Sequence, residues 1–449
     1  MLLEMLSNIE TSEKNHEAIV LGGETCRYRE LETMVRQWLE MIPILGISPG
    51  QCVALTGTMS ISMIAAMMAL EEAGNIVFPL VSERDLASSI EEAYVDFEIR
   101  FDGRTFSCNQ RERKKHSQLI ESFLSREASS GLLFLTSGST GKKKVVLHDF
   151  RRLISSVKQG NGKASRIMIF LMLDHIGGMN SLLYALCHGG TAVFAGDRSV
   201  GAICSMIEQC KVEVLPATPT FLRMMAISFS LKNYDLSSLH TITYGTEPMH
   251  PTTLQATRRM LPSVKFKQTY GMTEAGILPT QSRNSDSVWM KIGGPQSPIK
   301  VVEGVLWIKS PVSMIGYLNA ASIVDDQGWI NTGDHVEVDG DYVHVLGRIS
   351  EIINVAGEKV YPQEVESVIL GMANVVDVTV TSRRNPVTCE VVVALVQTEH
   401  EEDTKLLQKR VRTHCQQSLR PFQVPAIVMS TTKALYGIRF KKIRGIDAS

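Results

Sequence analysis

The chain has 449 residues, 44% of them hydrophobic, which is enough for a substantial core and for two or three domains. Its 46 basic and 47 acidic residues nearly cancel, so no global field recruits nucleic acid or an anionic membrane, and any anionic ligand must be held locally. Eight cysteines lie scattered without a CxxC pair, which argues against a disulfide framework or a zinc site and fits the reducing cytoplasm.

The opening "MLLEMLSNIE" carries two glutamates and no basic start, so it does not read as a signal peptide. From Ala18 to Leu80 strand-like and helix-like segments alternate: "AIVLGG", "YRELETMVRQWLEMIPILG", "CVALTG", "ISMIAAMMALEEAG", "NIVFPL". This order predicts a largely parallel sheet covered by helices. Cys52 to Leu70 carries no charge, but Thr56, Gly57, Thr58, Ser60 and Ser62 split it into a strand and a buried helix, so no membrane span is expected. Similar units follow at "RIMIFLML", "SLLYALCHGGTAVFAG" and "VEVLPATPTFLRMM". After about Pro295 the texture changes to short β-strands, "GVLWIKS" and "HVEVDGDYVHVLG", with "DGD" as a hairpin turn. From Glu351 onward a separate small α+β unit is expected, built on "EIINV", "PQEVESVILGM", "VVDVTVTS", "CEVVVALVQ" and "DTKLLQKRVRTHCQQSL" before a basic tail.

One stretch points to chemistry: "FLTSGSTGKKKVVLH", Phe134 to His148. A nucleotide P-loop needs Gly, four residues, then Gly-Lys-Ser/Thr. Counting back from Gly141-Lys142 places Thr136 at the first glycine, and Lys143 stands where the hydroxyl belongs. The physical logic survives this failure, because glycines free backbone N–H groups for phosphate oxygens while hydroxyls and lysines add donors and charge. The alternative for this segment alone is a solvated surface loop.

"LTSGSTGKKK", "TYGMTEAG" (269–276), "GWINTGDHVEVDGDYVHVLGR" ending at Arg348, and "EIINVAGEKVYPQEVESVI" occur in that order. Together they resemble the core motifs of the adenylate-forming (AMP-binding) superfamily, which includes acyl- and aryl-CoA synthetases, peptide-synthetase adenylation domains and beetle luciferases. The resemblance covers nearly the whole chain. It implies a large α/β N-terminal domain of helix-covered β-sheets with a small β-rich subdomain over residues 1–347, an AMP/ATP- and acyl-binding unit. It also implies a small mobile α+β lid domain over 351–449, with a hinge at about 348–350. The family's usual hinge Asp or Lys is replaced by Ser350.

The implied reaction joins a carboxylate to the α-phosphate of ATP, releases pyrophosphate, and then lets a thiol displace AMP. Positioning and electrostatics should supply most of the catalysis. By the match, Thr136, Ser137, Gly138, Ser139, Thr140, Gly141 and Lys142 grip the β- and γ-phosphates; Lys143 replaces the customary proline, and Lys144 falls on the second customary lysine. In "YGMTE", Tyr270 and Gly271 lie against adenine, Thr273 donates to the α-phosphate, and Glu274 holds Mg²⁺, which prefers hard oxygen ligands. Gly245, Thr246 and Glu247 form the adenine-side segment. Asp334 accepts the ribose hydroxyls and Arg348 also reaches the ribose, while Gly357 lies beside the path of pantetheine. The family's closing lysine, which bridges carboxylate and α-phosphate, aligns with Lys442 in "IRFKKIR", Lys441 being the alternative.

The acyl pocket is expected between "LMLDHIGGMNSLL" and "YGMTEAGIL". His175 would sit beside the carboxylate, and Gly177, Gly178, Met179, Ala275, Gly276 and Ile277 would line an apolar cavity. Asp174 is read as the N-cap of the following helix rather than as an ammonium partner, which favours an aromatic or medium-chain fatty carboxylic acid. The implied cofactors are ATP, Mg²⁺ and coenzyme A, or a carrier-protein phosphopantetheine. The leading expectation is an AMP-forming acyl- or aryl-CoA synthetase. The alternatives are a stand-alone adenylation enzyme loading an acyl carrier protein, and a catalytically impaired protein that binds acyl-AMP or ATP.

Overall fold

The computed structural model describes residues 1–449 except 10–12, 81–85, 113–114, 127–128, 138–142, 161, 229–232, 438–441 and 443–449. Two seven-stranded sheets dominate it. The first runs 265–268, 241–244, 214–217, 166–168, 191–194, 17–21, 24–27 in spatial order, all parallel except the last strand. The second runs 316–317, 143–149, 131–137, 76–80, 52–57, 97–102, 105–110, parallel at its centre and antiparallel at both edges.

The helices between the sheets follow from hydrophobic pattern. Helix Ile61–Glu72 is apolar on every side, as a helix enclosed all round must be. Ser60 starts it, its hydroxyl accepting from the Met63 N–H at 3.2 Å. Helix Tyr28–Ile44 is one-sided, burying Tyr28, Leu31, Val35, Trp38 and Ile42 at three- and four-residue spacing. With helices Phe150–Lys158 and Ile176–Cys187 they form one core that includes inward residues of both sheets, such as Ile19 and Ala192 from one and Val53 and Phe134 from the other. Helices Val200–Cys210, Pro219–Ile227 and Pro251–Met260 cover the outer face of the first sheet.

The alternation over 18–80 therefore does not build a single sheet. The strand at 17–21 pairs with 191–194, whereas 52–57 and 76–80 enter the other sheet. Helix Tyr28–Ile44 makes the crossing, its Tyr28 hydroxyl donating to the Gly190 carbonyl at 2.7 Å. Local pattern specifies strand and helix, but strand 17–21 joins its sheet through a partner more than a hundred residues away.

Residues 280–348 form a six-stranded antiparallel sheet whose longest hairpin, 330–339 with 342–348, turns at Gly340 (φ +58°). Beyond it lies the smaller C-terminal domain. Five strands (353–355, 358–360, 375–385, 389–398, 427–431) and helices Pro362–Ile369 and Thr404–Gln416 enclose a core of their own. No helix among the described residues is long and apolar enough to cross a membrane.

Candidate active site

A cleft of about 570 Å³ opens where the two large sheets, the antiparallel sheet and the C-terminal domain meet. Its lining comes from strand ends, turns, a hairpin and the start of a helix.

One wall carries a carboxyl, a phenol and a guanidinium. The hairpin 330–348 places Asp334 opposite Arg348 in register, and Arg348 Nε lies 3.3 Å from Asp334 Oδ1. The Tyr270 hydroxyl donates to Asp334 Oδ2 at 2.6 Å. Burial pushes the Asp334 carboxyl above its ordinary range, against the pull of Arg348 and the Tyr270 hydrogen bond. Burial likewise drives the Tyr270 phenol well above its usual value, so it stays a donor.

The floor is the strand end 244–247. Gly245 is held so closely that a Cβ there would lie 2.5 Å from Thr269 Oγ1 and 2.7 Å from the Thr269 carbonyl. Thr246 adopts φ +73°, which non-glycine residues rarely accept. Glu247 lines the cleft, but its Oε1 accepts from the Thr220 N–H at 2.8 Å and so ties the segment to the start of helix Pro219–Ile227.

The opposite wall is the turn of the short hairpin 270–272/276–278. Thr273 and Glu274 are both buried within it. The Tyr317 hydroxyl donates to Glu274 Oε1 at 2.7 Å, and His148 Nε2 lies 2.5 Å from the Thr273 carbonyl. Lys144 stands nearby, its ammonium 4.8 Å from the centre of the Tyr317 ring. Among the described residues no group of three metal-ligating side chains converges. A cation at Glu274 would therefore need oxygens from a bound phosphate or water, the usual arrangement for Mg²⁺.

Thr136 and Lys144 line the cleft at the ends of the antiparallel pair 131–137/143–149. Ser137 closes the first of these strands. Gly138, Ser139, Thr140, Gly141 and Lys142 lie outside the described residues.

The third wall is helix Ile176–Cys187. His175, not Asp174, is its N-cap: His175 Nδ1 accepts from the Gly177 N–H at 3.1 Å. This corrects the capping role expected of Asp174, which lies one residue before the cap and is almost fully buried. Gly178 lets the helix start pack on the preceding segment, since a Cβ there would lie 2.1 Å from the Met172 carbonyl oxygen. His175, Gly177 and Ile277 line the cleft, together with Asn180 and Ser181, whereas Gly178, Met179, Ala275 and Gly276 are not in its lining.

Two expected residues belong to the C-terminal part of the chain. Gly357 is not in this cleft. With Ala356 (φ +52°) it forms the turn between strands 353–355 and 358–360, and it lines a separate groove with Lys359, Tyr361 and Arg420. In this arrangement its φ of +91° is what demands glycine, for a Cβ there would meet nothing within 4 Å. Lys442 does line the cleft, yet its ammonium is bound within the seam between domains. It donates to Glu366 Oε2 at 3.1 Å and to the Val378 carbonyl at 2.8 Å, with Asp377 Oδ1 at 3.5 Å. Lys441 lies outside the described residues.

Tyr317 and His148 escaped the motif reading because an aromatic and a histidine inside apolar runs read as core. The usable signal was strand alternation, which puts His148 on the same face as Lys144.

A family model described as AMP-binding enzyme matches residues 8–318, and one described as AMP-binding enzyme C-terminal domain matches residues 364–436. 4-Coumarate-CoA ligase 2 of Oryza sativa subsp. japonica is 30% identical over 295 residues, 58% of this chain and 52% of that protein. 4-Coumarate-CoA ligase-like 6 of Arabidopsis thaliana is 28% identical over 384 residues, 76% of this chain and 65% of that protein. The chain thus spans less than two thirds of the length of these curated relatives. Among solved structures, an anthranilate CoA ligase in complex with anthranoyl-AMP superposes with a TM-score of 0.83 at 17% identity, covering 99% of this chain and 95% of that one. An o-succinylbenzoate CoA synthetase from Bacillus subtilis gives 0.77 at 22%, covering 99% and 96%. At these identities the likeness is one of fold.

Proposed function

The chain belongs to the AMP-binding enzyme family, and from that premise we propose that it activates a small carboxylic acid with ATP and passes the acyl group to a thiol. The CoA ligases of this family use ATP, Mg²⁺ and coenzyme A. The observation that carries the reading is the convergence in one cleft of Asp334, Tyr270 and Arg348 with Thr273, Glu274 and Lys144. The first trio suits a nucleoside and the second a triphosphate.

The donor set fits those groups. Desolvation holds the Asp334 carboxyl above its ordinary range although Tyr270 and Arg348 already donate to it, and two ribose hydroxyls would add further donors. Gly245 packs too closely on Thr269 to carry a side chain, and a flat base would lie against this segment. A bound Mg²⁺ would neutralise charge on the phosphates. Thr273 would donate to the α-phosphate, and Lys144 would offset negative charge beside it. A carboxylate oxygen attacks the α-phosphorus and pyrophosphate leaves; a thiolate then attacks the acyl carbon and AMP leaves. His175 and Ile277 bound the space left for the acid, which we assign to an aromatic or medium-chain fatty carboxylate with coenzyme A as acceptor.

Pyrophosphate exchange over a panel of aromatic and fatty acids tests this reading. Exchange with at least one such acid is expected; none with any acid would overturn it. The engagement of Lys442 by Glu366 favours one further reading, a protein that binds ATP or acyl-AMP without turnover. ATP binding without exchange would select it.

A further inference from the structure

The turn that carries Glu274 is seated on one face of a two-strand ladder. Strand Lys143–Asp149 pairs with Gly316–Tyr317, with Tyr317 opposite Val146. Side chains alternate along a strand, so Lys144, Val146 and His148 share a face, and Tyr317 stands between the outer two of them. The contacts follow that layout. His148 reaches the Thr273 carbonyl, the Met314 N–H donates to the Glu274 carbonyl at 2.8 Å, and the Tyr317 hydroxyl takes Glu274 Oε1. The same ring lies under the Lys144 ammonium. Among the described residues, Tyr317 is the one donor to the Glu274 carboxylate.

We infer that Tyr317 is a positioning residue that orients both charged partners of the triphosphate, the Glu274 carboxylate through its hydroxyl and the Lys144 ammonium through its ring face. This rests on the reading of Glu274 as the metal carboxylate. A phenol can only donate to an ionised carboxylate. With Oε1 engaged, the carboxylate plane is fixed and Oε2 is left for a cation. The ring holds the lysine by a cation–π contact that adds no competing anion to the site. One side chain thus keeps two opposite charges from collapsing onto each other before the nucleotide arrives.

Tyr317→Phe removes the hydroxyl and keeps the ring, and Tyr317→Leu removes both. The experiment is calorimetric titration of ATP, with and without Mg²⁺, into the full chain and into Tyr317→Phe, Tyr317→Leu and Glu274→Gln, with melting temperatures as the folding control. For Tyr317→Phe we expect metal-free ATP affinity within about twofold of the wild type, and a loss of about tenfold in the tightening produced by Mg²⁺, the size associated with a hydrogen bond to a charged group. Tyr317→Leu should weaken both. If Tyr317→Phe matches the wild type while Glu274→Gln loses the Mg²⁺ effect, the inference about Tyr317 is overturned and the metal reading stands. Equal weakening with and without Mg²⁺ in Tyr317→Phe overturns it too, because that is the mark of a merely structural tyrosine. If Glu274→Gln keeps the full Mg²⁺ effect, the metal reading fails and takes the inference with it.

Discussion

Lys442 shows how one residue can be well aligned and yet differently employed. Its ammonium sits between Glu366, Asp377 and the Val378 carbonyl, with His250 Nε2 3.6 Å from the same Glu366 oxygen. If this lysine bridges carboxylate and phosphate in the first half-reaction, it must leave that nest. Lys442→Ala should then lower pyrophosphate exchange by roughly 10²-fold, the effect of removing an electrostatic donor, while thioester formation from supplied acyl-AMP stays largely intact. Equal loss in both assays would mean that its work is to hold the domain seam. Acid should disturb the same nest. Burial holds His250 below its ordinary value, opposed by Glu366 and reinforced by Lys442. Its folded pKa lies below the unfolded value of about 6.5, so the unfolded chain takes up the proton first, and stability falls as pH drops below that value. His250→Asn should flatten this slope in a series of melting temperatures measured between about pH 7 and pH 5.

At the scale of elements, helix Ile176–Cys187 is the piece that would bound the acid in the proposed reading. Its start is pinned by His175 as cap and by Gly178 against the Leu171–Met172 backbone. Gly178→Ala should cost about 1–3 kcal/mol, as overpacking does, and should raise the KM for the acid more than that for ATP. An unchanged melting temperature would show that the contact yields freely. Most elements of this size were legible. The strands and helices around "CVALTG", "VVDVTVTS" and "DTKLLQKRVRTHCQQSL" stand where their periodicity puts them, because apolar spacing is a local signal. Strand 427–431 was missed: only pairing with 389–398 makes it a strand. The cap assigned to Asp174 was displaced for a related reason, since the packing of Gly178 sets where the helix begins. Of the cleft, the motif residues Tyr270, Glu274, Asp334 and Arg348 were legible as types at positions. The mutual orientation of Glu274 and Lys144 was not, because it depends on Tyr317, 43 residues from Glu274 along the chain.

For the whole molecule, the seam between the large and small domains is polar and specific. Arg223, on helix Pro219–Ile227, donates to the carbonyls of Leu370 at 2.9 Å and Val375 at 3.1 Å, capping the end of helix Pro362–Ile369 from across the seam. The His335 ring meets the Tyr361 hydroxyl at 3.0 Å. Interfaces of this polar kind open more readily than apolar ones, which would suit the hinge that the family resemblance implies at about 348–350. Arg223→Ala removes charged donors from three carbonyls, those of Leu370, Val375 and Val376, and should speed proteolysis in the segment 349–361 by about tenfold, given the usual strength of such bonds. A cleavage rate equal to that of the wild type would show that Arg223 is not what seats the small domain.

Among the described residues, the core enclosed by residues 353–428 draws no buried apolar residue from the rest of the chain. Two units with separate cores joined by a polar seam need not melt together, so a scanning calorimeter should record two heat-absorption peaks, and a single melting temperature would describe neither unit. This bears on how ligands are sought. A dye that reports the first exposure of apolar surface follows whichever unit loosens first. If that is the small domain, a compound bound deep in the large one would pass such a screen unseen.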